Sequence, residues 1–178
     1  MTSQQYNAVC AVSGSLASLF CRFDVFLHPT VCSFFVRKCT DASVVALSKL
    51  PCLEKLILNW CAITDGGLYV LSSVVQPRAL RSLSLNFCSM ITDNGISYLR
   101  TITTLQHLNM EICKGVTGLS LQHIAELGDL RRLTVSRQTD DEGLRQLRPL
   151  TRLEALKLNY CWYSTVRMEL HHLKFQGT

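Results

Sequence analysis

Nine cysteines are the residues whose chemistry has to be settled first: Cys10, Cys21, Cys32, Cys39, Cys52, Cys61, Cys88, Cys113 and Cys161. Thiolates can hold a metal or close disulfides. Tetrahedral zinc sites bring four ligands to one point and usually draw on close pairs of cysteines. The nearest spacings here are seven residues, Cys32 to Cys39, and nine, Cys52 to Cys61. An odd count makes a poor disulfide framework, and no Asn-x-Ser/Thr sequon occurs. Both observations point to a reducing, cytoplasmic interior. Small buried side chains with a weak S–H donor are the simpler role.

The remaining candidates are sparse. His28, His107, His123, His171 and His172 stand at no metal spacing with acidic or cysteine neighbours. No GxSxG elbow, Walker glycine loop, GxGxxG or HExxH motif is present. Asp140, Asp141 and Glu142 form an acidic run, but they sit where a helix is expected to begin, and carboxylates complement the dipole there. The expectation is a protein that is no enzyme, with no metal, no cofactor and no small-molecule ligand.

Chemistry that is absent shifts the weight to what the chain repeats. Leu-x-x-Leu-x-Leu-x-x-Cys occurs at Leu53, Leu56, Leu58 and Cys61, and again at Leu80, Leu83, Leu85 and Cys88. A third copy is Leu105, Leu108, Met110 and Cys113. The fourth, Leu130, Leu133 and Val135, has Gln138 in the cysteine place, and the fifth is Leu153, Leu156, Leu158 and Cys161. The intervals between first leucines are 27, 25, 25 and 23 residues. After the cysteine come Ile63-Thr64-Asp65-Gly66-Gly67-Leu68 and Ile91-Thr92-Asp93-Asn94-Gly95-Ile96, with weaker copies at Val116-Thr117-Gly118-Leu119 and Asp140 to Leu144. Thr or Asp there can cap a helix. Apolar residues then recur at helical spacing: Leu68 and Leu71, Ile96 and Leu99, Leu121 and Ile124. Each unit reads as strand, turn and short helix, and units of this length stack into a solenoid.

The two motifs together resemble the cysteine-containing class of leucine-rich repeats, best known from the repeat arms of F-box proteins that choose substrates for cullin-type ubiquitin ligases. The resemblance covers residues 53–161 and implies an α/β leucine-rich-repeat solenoid, with parallel strands on a concave face and helices on the convex one. It implies a protein-interaction scaffold whose partners are a ligase adaptor and substrates. Residues 1–50 contain no F-box-like helical segment, so the likeness is to the repeat arm.

On these boundaries, residues 1–30 are a segment of unassigned role and 31–52 a degenerate repeat or cap, built on Val31, Phe34, Val36, Cys39-Thr40-Asp41 and Leu47. Residues 162–178 are an incomplete C-terminal cap. Because both ends lack polar capping units, the expected arc is imperfectly capped and open to being a piece of a longer array. Ala8 to Phe20 is uncharged and apolar, but Met1 to Asn7 lacks the basic residues of a signal peptide, and Arg22 and Asp24 leave the stretch too short to span a bilayer.

Positions in the repeat that alternate away from the core should form the partner-binding face. Immediately before the cysteine place stand Trp60, Phe87, Ile112, Arg137 and Tyr160; before those stand Asn59, Asn86, Glu111, Ser136 and Asn159. Lys55, Ile57, Ser84, His107, Asn109, Arg132, Thr134 and Lys157 complete the expected surface. Aromatics flanked by amides fit a protein-binding groove, or they cover the turns. The net charge of +5 is too weak to argue for nucleic acid. The basic residues do cluster late, at Arg131, Arg132, Arg137, Arg145, Arg148, Arg152 and Lys157, as a solvated face or a docking patch. Two alternative functions remain open: an RNA- or ribonucleoprotein-binding module using that cluster, and an extracellular receptor-like repeat.

Overall fold

The computed structural model describes residues 23–28, 31–36, 39–47, 53–74, 80–136, 140–159 and 174–176, with backbone alone in the first, second and last of these stretches. Arg137, Gln138, Tyr160 and Cys161 lie outside the described residues, as do 1–22 and nearly all of the expected C-terminal cap.

Eight strands form one sheet in chain order. They are β1 (Phe23–His28), β2 (Val31–Val36), β3 (Leu53–Ile57), β4 (Ser82–Ser84), β5 (His107–Asn109), β6 (Arg132–Ser136), β7 (Ala155–Asn159) and β8 (Lys174–Gln176). The pairs from β2 to β8 are all parallel, whereas β1 runs antiparallel to β2. The sheet therefore extends past the five legible repeats at both ends. Parallel neighbours need a crossover, and here short helices supply it: α1 (Asp41–Leu47), α2 (Asp65–Val74), α3 (Asp93–Tyr98), α4 (Leu121–Ile124) and α5 (Asp141–Arg145). The solenoid of strand, turn and helix is the architecture expected from the spacing.

The core is the repeat frame stacked on itself. Leu56, Leu83, Leu108, Leu133 and Leu156 lie in register on successive strands, and all are buried. Leu53, Leu80, Leu105, Leu130 and Leu153 form a second buried row, and Leu58, Leu85, Met110 and Val135 a third. From the other layer come Leu68 and Leu71 of α2, Ile96 of α3, and Leu121 and Ile124 of α4.

The polar half of the motif ties one repeat to the next. Thr64, Thr92 and Thr117 each turn a hydroxyl oxygen to a backbone N–H two residues on, at 3.1–3.2 Å, opening the following helical turn. The same threonines donate to an aspartate of the preceding repeat. Asp41 accepts from Thr64 N and Oγ1 at 2.8 and 2.6 Å, Asp65 from Thr92 at 2.8 and 2.6 Å, and Asp93 from Thr117 at 2.7 Å twice. A hydroxyl is both donor and acceptor, so one side chain serves both bonds. The glycine of the motif makes room for this carboxylate. A Cβ at Gly67 would lie 2.5 Å from Asp41 Oδ1, and one at Gly95 would overlap the Asp65 carboxylate. The chain of bonds stops at Gly118, which stands in the aspartate place; Asp140 instead caps its own helix, accepting from Gly143 N at 2.9 Å.

The cysteines occupy the turns between these parts. Cys88 Sγ donates to Leu58 O and Cys113 Sγ to Leu85 O, both at 3.1 Å, so each thiol caps a carbonyl of the preceding repeat. Cys39, Cys61, Cys88 and Cys113 are all buried. Burial pushes the Cys88 thiol up to about 12 and the Cys113 thiol to about 11, against an ordinary value of 9.0.

Two outcomes follow. Gly95→Ala should destabilise the protein by roughly 1–3 kcal/mol, and Asp65→Ala by about 1–3 kcal/mol. Because Asp65→Ala removes the obstacle, the double variant should fall short of the sum by about 1 kcal/mol in urea unfolding; additive losses would show that Gly95 is not there to admit Asp65. The thiols titrate higher in the folded than in the unfolded chain, so their contribution is complete below pH 9 and declines as pH rises toward 11 and 12. The unfolding midpoint should drop across that window, and less steeply in Cys88→Ala.

Candidate functional site

After each strand the chain turns through two residues: Asn59–Trp60, Asn86–Phe87 and Glu111–Ile112. The second residue of each turn has a left-handed backbone, with φ of 63° at Trp60, 62° at Phe87 and 57° at Ile112. That conformation costs a residue with a Cβ about 1–3 kcal/mol, most for a β-branched one, and Gly or Asn would take it more easily. The surrounding bonds impose it. Trp60 N donates to Asn86 O at 2.8 Å and Phe87 N to Glu111 O at 2.9 Å, continuing the parallel pairing beyond the strands. Three equivalent positions thus carry large apolar side chains, exposed at Trp60 and half-buried at Phe87 and Ile112. The Trp60 and Phe87 rings stack with centroids 3.7 Å apart and planes 7° from parallel, and Trp60 remains 67% exposed. The sequence showed the stripe but not the strain, because the usual signal for positive φ is glycine or asparagine.

The preceding row behaves differently from the surface expected of it. Asn59 Oδ1 accepts from Ser84 Oγ and Asn86 N at 2.8 and 2.9 Å, and Asn86 Oδ1 accepts from Glu111 N at 2.8 Å. These amides replace backbone partners lost at the turn and join repeats. Asn159 is buried, and its Nδ2 donates to Glu111 Oε1 at 2.7 Å. Its place on an accessible face is therefore corrected: burial takes it off the surface.

Two further rows complete the sheet face. Lys55, Ser82, His107, Arg132 and Ala155 lie side by side, as do Ile57, Ser84, Asn109, Thr134 and Lys157. Ser82 and Ala155 were not among the expected residues, although their position in the frame is that of Lys55. Lys55, Arg132 and Lys157 are exposed, while Ile57, Ser84, His107, Asn109 and Thr134 are half-buried. Partial burial, with Arg132, Arg131 and Lys55 adding to it against Glu154, holds His107 below its ordinary 6.5. Asn109 Oδ1 is buried and finds no hydrogen-bond partner among the described residues. Arg137 and Tyr160, expected in the stripe, lie outside the described residues.

The late basic cluster is not one patch. Arg131 pairs with Glu154 at 2.7 Å, Arg145 with Glu142 at 3.2 Å, and Arg152 with Asp129. Among the described residues no group of three or more His, Cys, Asp or Glu could hold a metal, and no helix is long and apolar enough to cross a membrane. An open cleft of about 190 Å³ lies where Gly118 interrupts the aspartate series, lined by Thr117, Leu119, Gln122, Asp140, Glu142 and Gln146 among others. It sets no nucleophile beside a base.

The chain is similar to known proteins. The family model described as Leucine Rich repeat matches residues 49–72 and 77–99. The chain is 32% identical over 127 residues to the Antagonist of mitotic exit network protein 1 of Eremothecium gossypii, a match covering 67% of this chain and 30% of that protein. It is also similar to a chain in the crystal structure of the Rad7 and Elc1 complex in yeast, with a TM-score of 0.48 and 18% identity, over 79% of this chain and 44% of that one. The chain thus spans less than half the length of either. It is a leucine-rich-repeat protein whose repeats resemble those of the F-box/LRR arms.

Proposed function

We propose that the protein is a docking scaffold that holds a protein partner across its sheet face, and in its most specific form a substrate-recognition arm for a cullin/F-box-type ubiquitin ligase. The observation that carries the docking reading is the stripe of Trp60, Phe87 and Ile112 at left-handed turn positions. The fold needs only the backbone conformation there, which Asn or Gly supplies at less cost. The side chains add one ring stack, worth about 0.5–1.5 kcal/mol, and expose an indole that a partner can cover. Large rigid aromatics are the side chains on which interface energy concentrates.

The ligase form rests on the cysteine-class motif, with an adaptor supplied by another segment or subunit. The likeness to an antagonist of the mitotic exit network suggests a regulatory scaffold as the setting. Buried thiols at Cys88 and Cys113, each donating to a carbonyl, suit a reducing, cytoplasmic one. The RNA-binding alternative loses support, because three of the arginines it would use are ion-paired.

Affinity purification of the wild type against Trp60→Asn combined with Phe87→Asn tests the reading. Asparagine tolerates the left-handed backbone, so the thermal midpoint should hold within a few degrees while a subset of partners disappears. Ligase subunits retained by both proteins, with substrates lost from the variant, are the result expected of the specific form. An unchanged partner set with an unchanged midpoint would make the aromatics coverings of the turns.

A further inference from the structure

Resting on the docking reading, we infer that the partner segment is an acidic peptide carrying one flat apolar anchor: the anchor covers the outer face of Trp60, and its carboxylates meet Lys55, Arg132 and Lys157. The three cations are exposed, and their side chains make no salt bridge among the described residues, in contrast to Arg131, Arg145 and Arg152. Glu154 is paired with Arg131, which leaves Glu111, hydrogen-bonded to the Asn159 amide, as one carboxylate among three cations. Three cations against one such carboxylate leave a net positive charge over the middle of the face. His107 lies in the same row, held below its ordinary value first by burial and then by Arg132.

Geometry sets the length of the segment. Strands lie about 4.8 Å apart and rise about 3.3 Å per residue. Phe87 and Arg132 are two strands apart laterally and five residues apart along the strand direction, so an extended peptide joins the stripe to the cations in about five or six residues. Such a segment is within reach of Asn109, whose amide lies between Ser84 and Thr134 in the path.

The same features disfavour a single-stranded nucleic acid. The two rings are stacked on each other at 3.7 Å, so no base fits between them. A peptide requires only the one open indole face and a few well-placed carboxylates.

Fluorescence anisotropy of the full chain decides it, using a labelled peptide of roughly ten residues with one Trp and two Asp-Glu pairs about five residues from it. Its Asn-Gln twin and a U10 oligoribonucleotide are the comparisons. The acidic peptide should bind at least about tenfold tighter than its amide twin in about 50 mM salt, and the ratio should shrink in about 300 mM salt as screening shortens the field. Arg132→Glu combined with Lys157→Glu should abolish the preference, whereas Arg100→Glu, away from the sheet face, should leave it. Equal binding of both peptides, lost in Trp60→Asn, overturns the charge assignment while the docking reading stands. Failure of both peptides to bind also overturns it, and the affinity purification then judges docking separately. Tighter binding of U10 than of the acidic peptide overturns both.

Discussion

Everything in this molecule depends on register between neighbouring repeats. No single unit can bury its own leucines; each apolar row is covered only by the same row of the next unit. Side chains on a strand alternate with a period of two, so a slip of one residue at β4 would send Leu83 to the solvent face and bring Ser82 or Ser84 into the core. Burying one leucine is worth about 1.5–3 kcal/mol, and a slip forfeits several at once. The register that stacks Leu56, Leu83, Leu108, Leu133 and Leu156 also sets Cys88 and Cys113 against carbonyls of the preceding units. It likewise brings Thr64, Thr92 and Thr117 to their aspartates and Trp60 beside Phe87. One constraint, imposed by burial, places every other feature.

The aspartate–threonine bonds refine that constraint. They are short and paired, yet lie near the surface, so their effect is more to fix the angle of each helix against its neighbour than to add bulk stability. Where they end, the array changes character. Past Gly118 the units are joined by leucine rows and by the pairs Arg131–Glu154 and Arg152–Asp129, and exposed pairs of that kind contribute at most about 1 kcal/mol each. In a quasi-one-dimensional array the weakest junction is where local opening begins. Between Gly118 and Asp140 the aspartate bond is missing, Asp140 capping its own helix instead.

The repeat frame was legible because burial writes itself into sequence as periodic leucine, and the helix starts because capping needs Thr or Asp. What stayed hidden depends on contacts between residues far apart in the chain. Nothing local announces that Asp65 belongs to Thr92, or that Gly95 is small for the sake of Asp65, although the repeated Thr-Asp-x-Gly spacing carried the signal. The amides of Asn59 and Asn86 looked like surface because their frame position points outward; their acceptors are in fact taken up by backbone N–H groups of the next turn. The arginines looked like a patch because proximity in sequence says nothing of the partners that repeats 23 residues away supply. The antiparallel β1, without a leucine frame, offered no period to read.

This division between what the fold uses and what it leaves unused locates function. Leucines, cysteines, Asp–Thr pairs and turn amides are all committed to joining units, and altering any of them alters the solenoid. Lys55, Ser82, Arg132, Thr134 and Lys157 lie on the same sheet, and their side chains make no hydrogen bond across it among the described residues. Trp60, Phe87 and Ile112 go further, since they occupy a backbone conformation their own side chains oppose. On the docking reading proposed above, such strain is kept for what the Trp60 side chain meets outside. The sheet face can then change partner chemistry by substitution at its exposed positions without disturbing the register of the leucine rows.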